Sequence, residues 1–236
     1  MTETTIALVT GANKGLGRET VRRLAELGWT VLLGSRDAER GAATAAELGG
    51  DVHAVPIDVT DDDSVAAAAK EIERRWGRLD VLVNNAGITG ERVGALDTTA
   101  EHLRTVFETN TFGPVRVTHA MLPLLERSAA PRIVMVSSGM GSIAVTSDPE
   151  RLESTIVALG YPSSKTALNM ITTQYAKALP RFRVNVADPG YTATDLNGNS
   201  GHQTVTEGTD AIVALATAAP DGPTGTFVDR HGTVPW

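Results

Sequence analysis

The sequence predicts a single α/β domain: a doubly wound, seven-stranded parallel sheet with helices on both faces. Two observations carry that prediction. Short β-branched apolar runs alternate with longer segments of helical period along the 236 residues. The runs are apolar almost without interruption, as strands covered on both faces are. Short connections between them give right-handed βαβ units. A hydrophobic share of 42% supplies one sizeable core. No repeat, low-complexity tract or linker divides the chain, so the domain is expected to span 1–236.

The elements follow in order. "IALVT" (6–10) is the first strand and a helix pattern covers 15–27. "TVLLGS" (30–35) precedes an Ala/Glu-rich helix over 38–48. "VHAVPID" (52–58) precedes a helix over 63–75, with Asp61 or Asp62 as its cap. "LDVLVNNA" (79–86) leads into helical patterns over 99–109 and 113–127. "RIVMVSS" (132–138) is followed by an irregular stretch and then the helix that opens at "YPSSK" (161–165). Proline is tolerated in the first turn of a helix, where its missing N–H is not needed, so Pro162 sets the start at about Tyr161. "FRVNVADPG" (182–190), a helix over 206–218 and "GTFVD" (225–229) complete the alternation.

Composition narrows the function. Twenty-one basic and 28 acidic residues leave a net charge of −7, which argues against a nucleic-acid or anionic-membrane surface. There is no cysteine, so disulfides and thiolate metal sites are excluded, and no metal site is expected. No apolar run has the length to span a bilayer, and the acidic N-terminus lacks a signal-peptide pattern. The expectation is a cytoplasmic protein that meets no membrane.

"TGANKGLG" joins the first strand to the first helix and spaces Gly11, Gly15 and Gly17 as G-x-x-x-G-x-G. At a first βα junction of a Rossmann-type sheet, such glycines let the backbone approach a pyrophosphate at a helix N-terminus. Asn13, Lys14 and Leu16 lie in the same loop. A packing turn would explain the glycines alone; the strand–turn–helix context favours a dinucleotide. The second strand ends "GSRD", with Ser35 where an NAD-specific acid would stand and Arg36 after it. A guanidinium there can stack on adenine and bond a 2′-phosphate, and Lys14 adds a second charge, so NADP(H) is favoured over NAD(H). Asp37 keeps the NAD reading open. At the third strand end, Asp58 is either an adenine acceptor or a turn acid, with Val59 supplying a backbone N–H. In "NNAG" (84–87), asparagine amides tie neighbouring loops while Ala86 and Gly87 let the backbone pass a ribose; Asn85 belongs to this set.

Tyr161 and Lys165 stand four apart, on one helix face. An ammonium nearby lowers a phenol that starts at about 10. Tyr161 then serves as an acid in carbonyl reduction and a base in reverse. Lys165 could also bond the nicotinamide ribose. The pattern alone is weak. Ser138, at the fifth strand end, either holds a substrate oxygen or caps a turn.

Taken in order, TGANKGLG, NNAG, the asparagine of "ETNTFG", "VSS", YPSSK and "PGYTAT" resemble the short-chain dehydrogenase/reductase family over almost the whole chain, and its carbonyl-reductase-like branch in particular. The resemblance implies a catalytic tetrad of Asn110, Ser138, Tyr161 and Lys165, with Asn110 distorting its helix and binding a relay water. From the residue alone, Asn110 reads as a buried amide that satisfies backbone groups. The resemblance further implies a nicotinamide-side turn at Pro189 and Gly190, a backbone bond from Thr192 to the carboxamide, and a hydroxyl bond from Thr194. The segments at about 139–160 and 191–205 would form the substrate mouth. The first is longer than in most short members and could carry a small helix over the site. The second is a short polar loop rich in Gly, Asn, Ser and Thr, which suggests an open site. The expected activity is NADPH-dependent reduction of a ketone, aldehyde or quinone. Alcohol oxidation with NAD(P) in the same site and a non-catalytic NADP-binding regulator are its rivals. The expected partner is a small carbonyl or alcohol, in a monomer or homodimer more readily than a tetramer, because the extra segment could impede the helix contact that family tetramers use.

Overall fold

A computed structural model describes residues 4–236. Strands β1 (Ile6–Val9), β2 (Thr30–Ser35), β3 (Val52–Pro56), β4 (Val81–Asn84), β5 (Arg132–Val136), β6 (Arg183–Ala187) and β7 (Phe227–Asp229) pair in parallel in the order 3-2-1-4-5-6-7. This is the expected doubly wound sheet with one addition. A two-residue β8 (Gly232–Thr233) pairs antiparallel with β7 and makes eight strands.

Alternate strand residues enter two cores, as the period of two requires. One face buries Leu8, Leu32, Leu82 and Ile133 under helices α3 (Asp62–Trp76), α5 (Gly113–Leu125) and α7 (Gly160–Ala178). The other buries Val9, Val31, Leu33, Val81 and Val83 under α1 (Gly15–Glu26), α2 (Ala38–Leu48) and α9 (Asp210–Ala216). Leu8, Leu32, Leu33 and Leu82 are fully buried, each such side chain contributing about 2 kcal/mol of transfer free energy.

Local chemistry sets the helix ends. Asp37 caps α2 by accepting Arg40 N–H at 3.0 Å, and Asp61 caps α3 by accepting Ser64 N–H at 2.6 Å. Pro162 falls in the first turn of α7, as its chemistry demands. The two helical patterns around Asn110 form one distorted unit: α4 (Ala100–Phe107), a π turn over Glu108–Phe112, then α5. The long connection after β5 carries α6 (Ile143–Ser147) and a 3₁₀ turn at Leu152–Thr155. The expected helix over 206–218 is divided into α8 (Val205–Gly208) and α9.

Candidate active site

The strand order reverses between β1 and β4, so their connections diverge and leave a crevice at the carboxyl ends. A cleft of about 780 Å³ opens there. Gly11, Asn13, Lys14, Gly15, Leu16 and Gly17 line it from the first junction. Arg36, Asp58 and Val59 line it from β2 and β3, and Asn85, Ala86 and Gly87 from β4. A methyl group on Gly11 would lie 2.8 Å from Ala86 Cα, so the loops approach too closely for any side chain there. Lys14 occupies the N-cap of α1 without a side-chain cap bond, which leaves the first-turn N–H groups to an anion. Asn85 ties the two loops, donating through Nδ2 to Thr10 O at 2.8 Å and Gly11 O at 3.1 Å. These features fit a dinucleotide pyrophosphate.

The adenosine end has a distinct charge pattern. Asp37 is committed to Arg40, through the cap and through a 3.0 Å contact with Nε. Ser35 is buried and donates to Asp37 O at 2.8 Å. Arg36 lines the cleft beside Asp58, whose carboxyl lies below its ordinary value. Burial opposes that lowering; the Thr60 bonds and the Arg36 and Arg116 charges produce it. Asp58 Oδ1 accepts both the N–H and the hydroxyl of Thr60, so the turn role foreseen for it is filled. Arg40, which the sequence did not single out, also lines the cleft. Its position three residues past the α2 cap is the signal that could have found it.

Tyr161, Ser138 and Lys165 meet beyond β5. Ser138 adjoins the Tyr161 hydroxyl while its own Oγ accepts Met140 N–H at 3.2 Å, the turn-cap role foreseen for it, and Lys165 Nζ lies 5.7 Å from the Tyr161 ring centre. Lys165 Nζ donates to Val136 O at 2.9 Å. A methyl on Gly87 would meet Asn110 Oδ1 at 3.4 Å and Lys165 Nζ at 3.5 Å, so all three adjoin at the β4 end. Asn110 is fully buried in the π turn. Its Oδ1 accepts Ile88 N–H at 2.9 Å, and its Nδ2 donates to Ile88 O at 2.8 Å and Ser164 Oγ at 3.1 Å. The buried-amide role read from the residue alone is thus occupied.

One expectation is overturned. The spacing predicts a phenol made more acidic by Lys165, but burial pushes Tyr161 up to about 12; the Ser138 side chain opposes this and the Asp188 charge adds to it. Burial also brings Lys165 down to about 8, which weakens its hold as a cation. Spacing along a helix shows adjacency and not desolvation, and here desolvation is the larger effect.

The polar 191–205 loop carries structure of its own. Thr192 pairs with Gln203 in an isolated bridge, residues Asp195–Asn197 form a 3₁₀ turn, and Asp195 reaches Lys14 at 3.0 Å. The Thr194 methyl lies 3.7 Å from the place of a Gly15 methyl, and Thr194 lines the cleft. Thr192 stands otherwise. It is buried, its N–H donates to Gly190 O, and its carbonyl accepts Asn197 Nδ2 at 2.9 Å. The Thr192 N–H is thus committed, while its carbonyl keeps a second acceptor site for a carboxamide N–H. Pro189 O accepts the Thr192 hydroxyl at 2.8 Å, and Gly190 holds a positive φ of 66° beside Gln203.

Comparison with known proteins places this geometry. Residues 5–204 match the short chain dehydrogenase family. The chain is 34% identical to (-)-isopiperitenone reductase of Mentha piperita, over 95% of this chain and 96% of that one. It superposes on the NADPH-bound carbonyl reductase from chicken fatty liver with a TM-score of 0.86, at 28% identity over 99% and 100% of the two chains. Salutaridine reductase from Papaver somniferum gives 0.83 at 28% identity, over 94% and 99%. The chain belongs to the short-chain dehydrogenase/reductase family.

Proposed function

We infer that the protein is an oxidoreductase of the carbonyl-reductase-like branch that reduces a ketone, aldehyde or quinone to an alcohol with NADPH. One observation carries the reading: Ser138, Tyr161 and Lys165 meet at the carboxyl end of the same sheet that forms the dinucleotide cleft. When bound, the nicotinamide supplies a hydride to the carbonyl carbon. Ser138 orients the carbonyl oxygen, and Tyr161 gives that oxygen its proton. A phenol held near 12 keeps its proton across the neutral range, as a donor must. Lys165 lies next to Tyr161 and carries the local positive charge when protonated. Asn110 fixes the backbone at Ile88 and thereby the wall beside Lys165. Alcohol oxidation uses the same groups in reverse.

NADP(H) over NAD(H) follows from the adenosine end. Lys14, Arg36 and Arg40 line the cleft, while the acid that could hold a ribose diol, Asp37, is spent on the α2 cap and Arg40. The unit is one domain over 1–236, with mouth segments at 139–160 and 191–205, acting as a monomer or homodimer. The reading places it in the cytoplasm, which cell fractionation tests. Among the described residues no helix is long and apolar enough to cross a membrane.

The test follows NADPH absorbance against a panel of ketones, aldehydes and quinones. Tyr161→Phe is expected to lower kcat by about 10²- to 10⁴-fold while NADPH binding stays within a few-fold. Full turnover in that variant removes Tyr161 as the donor.

A further inference from the structure

One ion pair crosses the mouth of the cofactor cleft. Lys14 Nζ donates to Asp195 Oδ2 at 3.0 Å, between residues 181 positions apart in the chain. Lys14 belongs to the glycine junction after β1, and Asp195 to the mouth segment after β6. Both residues line the cleft. The two ends are held differently. Asp195 opens the 3₁₀ turn Asp195–Asn197, which its neighbours fix. Thr194 N–H donates to Asn197 Oδ1 at 3.2 Å, Asn197 Nδ2 donates to Thr192 O at 2.9 Å, and the Tyr191 hydroxyl pairs with Ser200 Oγ at 2.7 Å. Lys14 occupies the N-cap of α1, makes no cap bond through its side chain, and carries its charge on a flexible stem. Lys14 is therefore the partner that moves.

The other acids of the cleft are engaged locally. Asp37 bonds Arg40 across one turn of α2, and Asp58 accepts both donors of Thr60. Asp195 alone among the acids lining the cleft reaches from a distant part of the chain to a basic residue of the glycine junction. Lys14 shares the cleft with Arg36 and Arg40, the cationic group that a 2′-phosphate would meet. A phosphate monoester carries close to two negative charges near neutral pH, against one on a carboxylate. It is thus the stronger partner for an ammonium, but Lys14 has to leave Asp195 to reach it.

We propose, resting on the NADP(H) reading of the adenosine end, that Asp195 is a positioning residue that competes with the cofactor's 2′-phosphate for Lys14 and so moderates the preference for NADPH over NADH. NADPH gains Lys14 at the expense of the bond to Asp195. NADH has no 2′-phosphate and leaves the pair intact, so the cost falls on NADPH alone. The exposure of the pair bounds the effect. Both side chains are 62% exposed, and pairs in such high-dielectric surroundings are weak, which limits the change to roughly two- to fivefold in Kd.

Fluorescence titration of the full chain with NADPH and with NADH measures both Kd values and needs no substrate. Asp195→Asn keeps the size of the side chain and removes its charge. It is expected to tighten NADPH by roughly two- to fivefold and to leave NADH unchanged. Lys14→Met is expected to weaken NADPH and, in the double variant, to cancel the effect of Asp195→Asn. An Asp195→Asn protein that binds NADPH no more tightly than wild type overturns the proposal. Equal tightening of both cofactors overturns it too, as does tightening that persists in the Lys14→Met background. In those cases the carboxylate acts by repelling the cofactor or by shaping the loop, and not through Lys14. A wild-type protein with no preference for NADPH is a separate outcome, which removes the NADP(H) reading and the proposal with it.

Discussion

Replacing Lys165 with Met is expected to abolish activity and yet make the cofactor-free protein more stable at neutral pH. The lysine is 4% exposed, and burial lowers it from an ordinary 10.5 to about 8. Keeping it ionised in the fold at pH 7 therefore costs about 3 kcal/mol. Methionine has similar length and no charge. It forfeits the bond to Val136 O at 2.9 Å, and an orphaned buried carbonyl costs about 1–3 kcal/mol. The balance at pH 7 is a gain of roughly 1 kcal/mol for the variant. The sign reverses with pH. Between about 8 and 10.5 the folded lysine has lost its proton while the unfolded one keeps it. Unfolding there takes up a proton, so wild-type stability rises with pH across that window, and the methionine variant has no such rise. Above 10.5 the variant should be the less stable by about 1–3 kcal/mol. Urea unfolding followed by circular dichroism at pH 7 and pH 10, wild type beside variant, measures the crossing. A stability difference that does not vary with pH refutes the reasoning.

Other expectations follow from single contacts. Arg36→Asp should weaken NADPH by about 10- to 100-fold, the range of a charged hydrogen bond, and barely change NADH; equal losses in fluorescence titrations remove Arg36 as the 2′-phosphate reader. Gly17→Ala places a methyl 2.5 Å from Asn85 Nδ2 and 2.6 Å from Gly11 O. Overpacking there should cost about 1–3 kcal/mol in denaturation and also weaken NADPH, because it displaces the tie between the two loops. Asp80→Ala removes the acceptor of Ile6 N–H at 2.9 Å and Ser128 Oγ at 2.6 Å. The loss should be about 3 kcal/mol in urea unfolding, with NADPH affinity unchanged because this network lies at the opposite end of β1 from the cleft.

The central strands β1, β2 and β4 were legible because each is a near-continuous apolar run, and burial on both faces selects for that; the edgeward β3 and β7 are only partly buried and were read from their place in the alternation. β8 was not, since Gly232 and Thr233 carry no period and pair only because β7 lies beside them. The π turn at Glu108–Phe112 was legible through family resemblance alone, for its flanks are ordinary helix patterns. Arg40 and Asp188 escaped notice for a related reason. One reads as a solvent charge on a helix and the other as the opening of a turn. Only assembly shows Arg40 facing the cleft and Asp188 buried beside Gly139.

The sequence by itself determined the sheet, the glycine junction, the helix start at Pro162 and the i, i+4 placement of Tyr161 and Lys165, because all of these follow from periods and local backbone chemistry. The tertiary structure alone decided the electrostatics of the site. Burial moves Tyr161 up, against the direction that spacing suggests, and moves Lys165 down. The fold also closes the 191–205 loop onto the glycine loop through Lys14 and Asp195. Desolvation and long-range pairing depend on what other elements bring to a residue, and no local pattern encodes that.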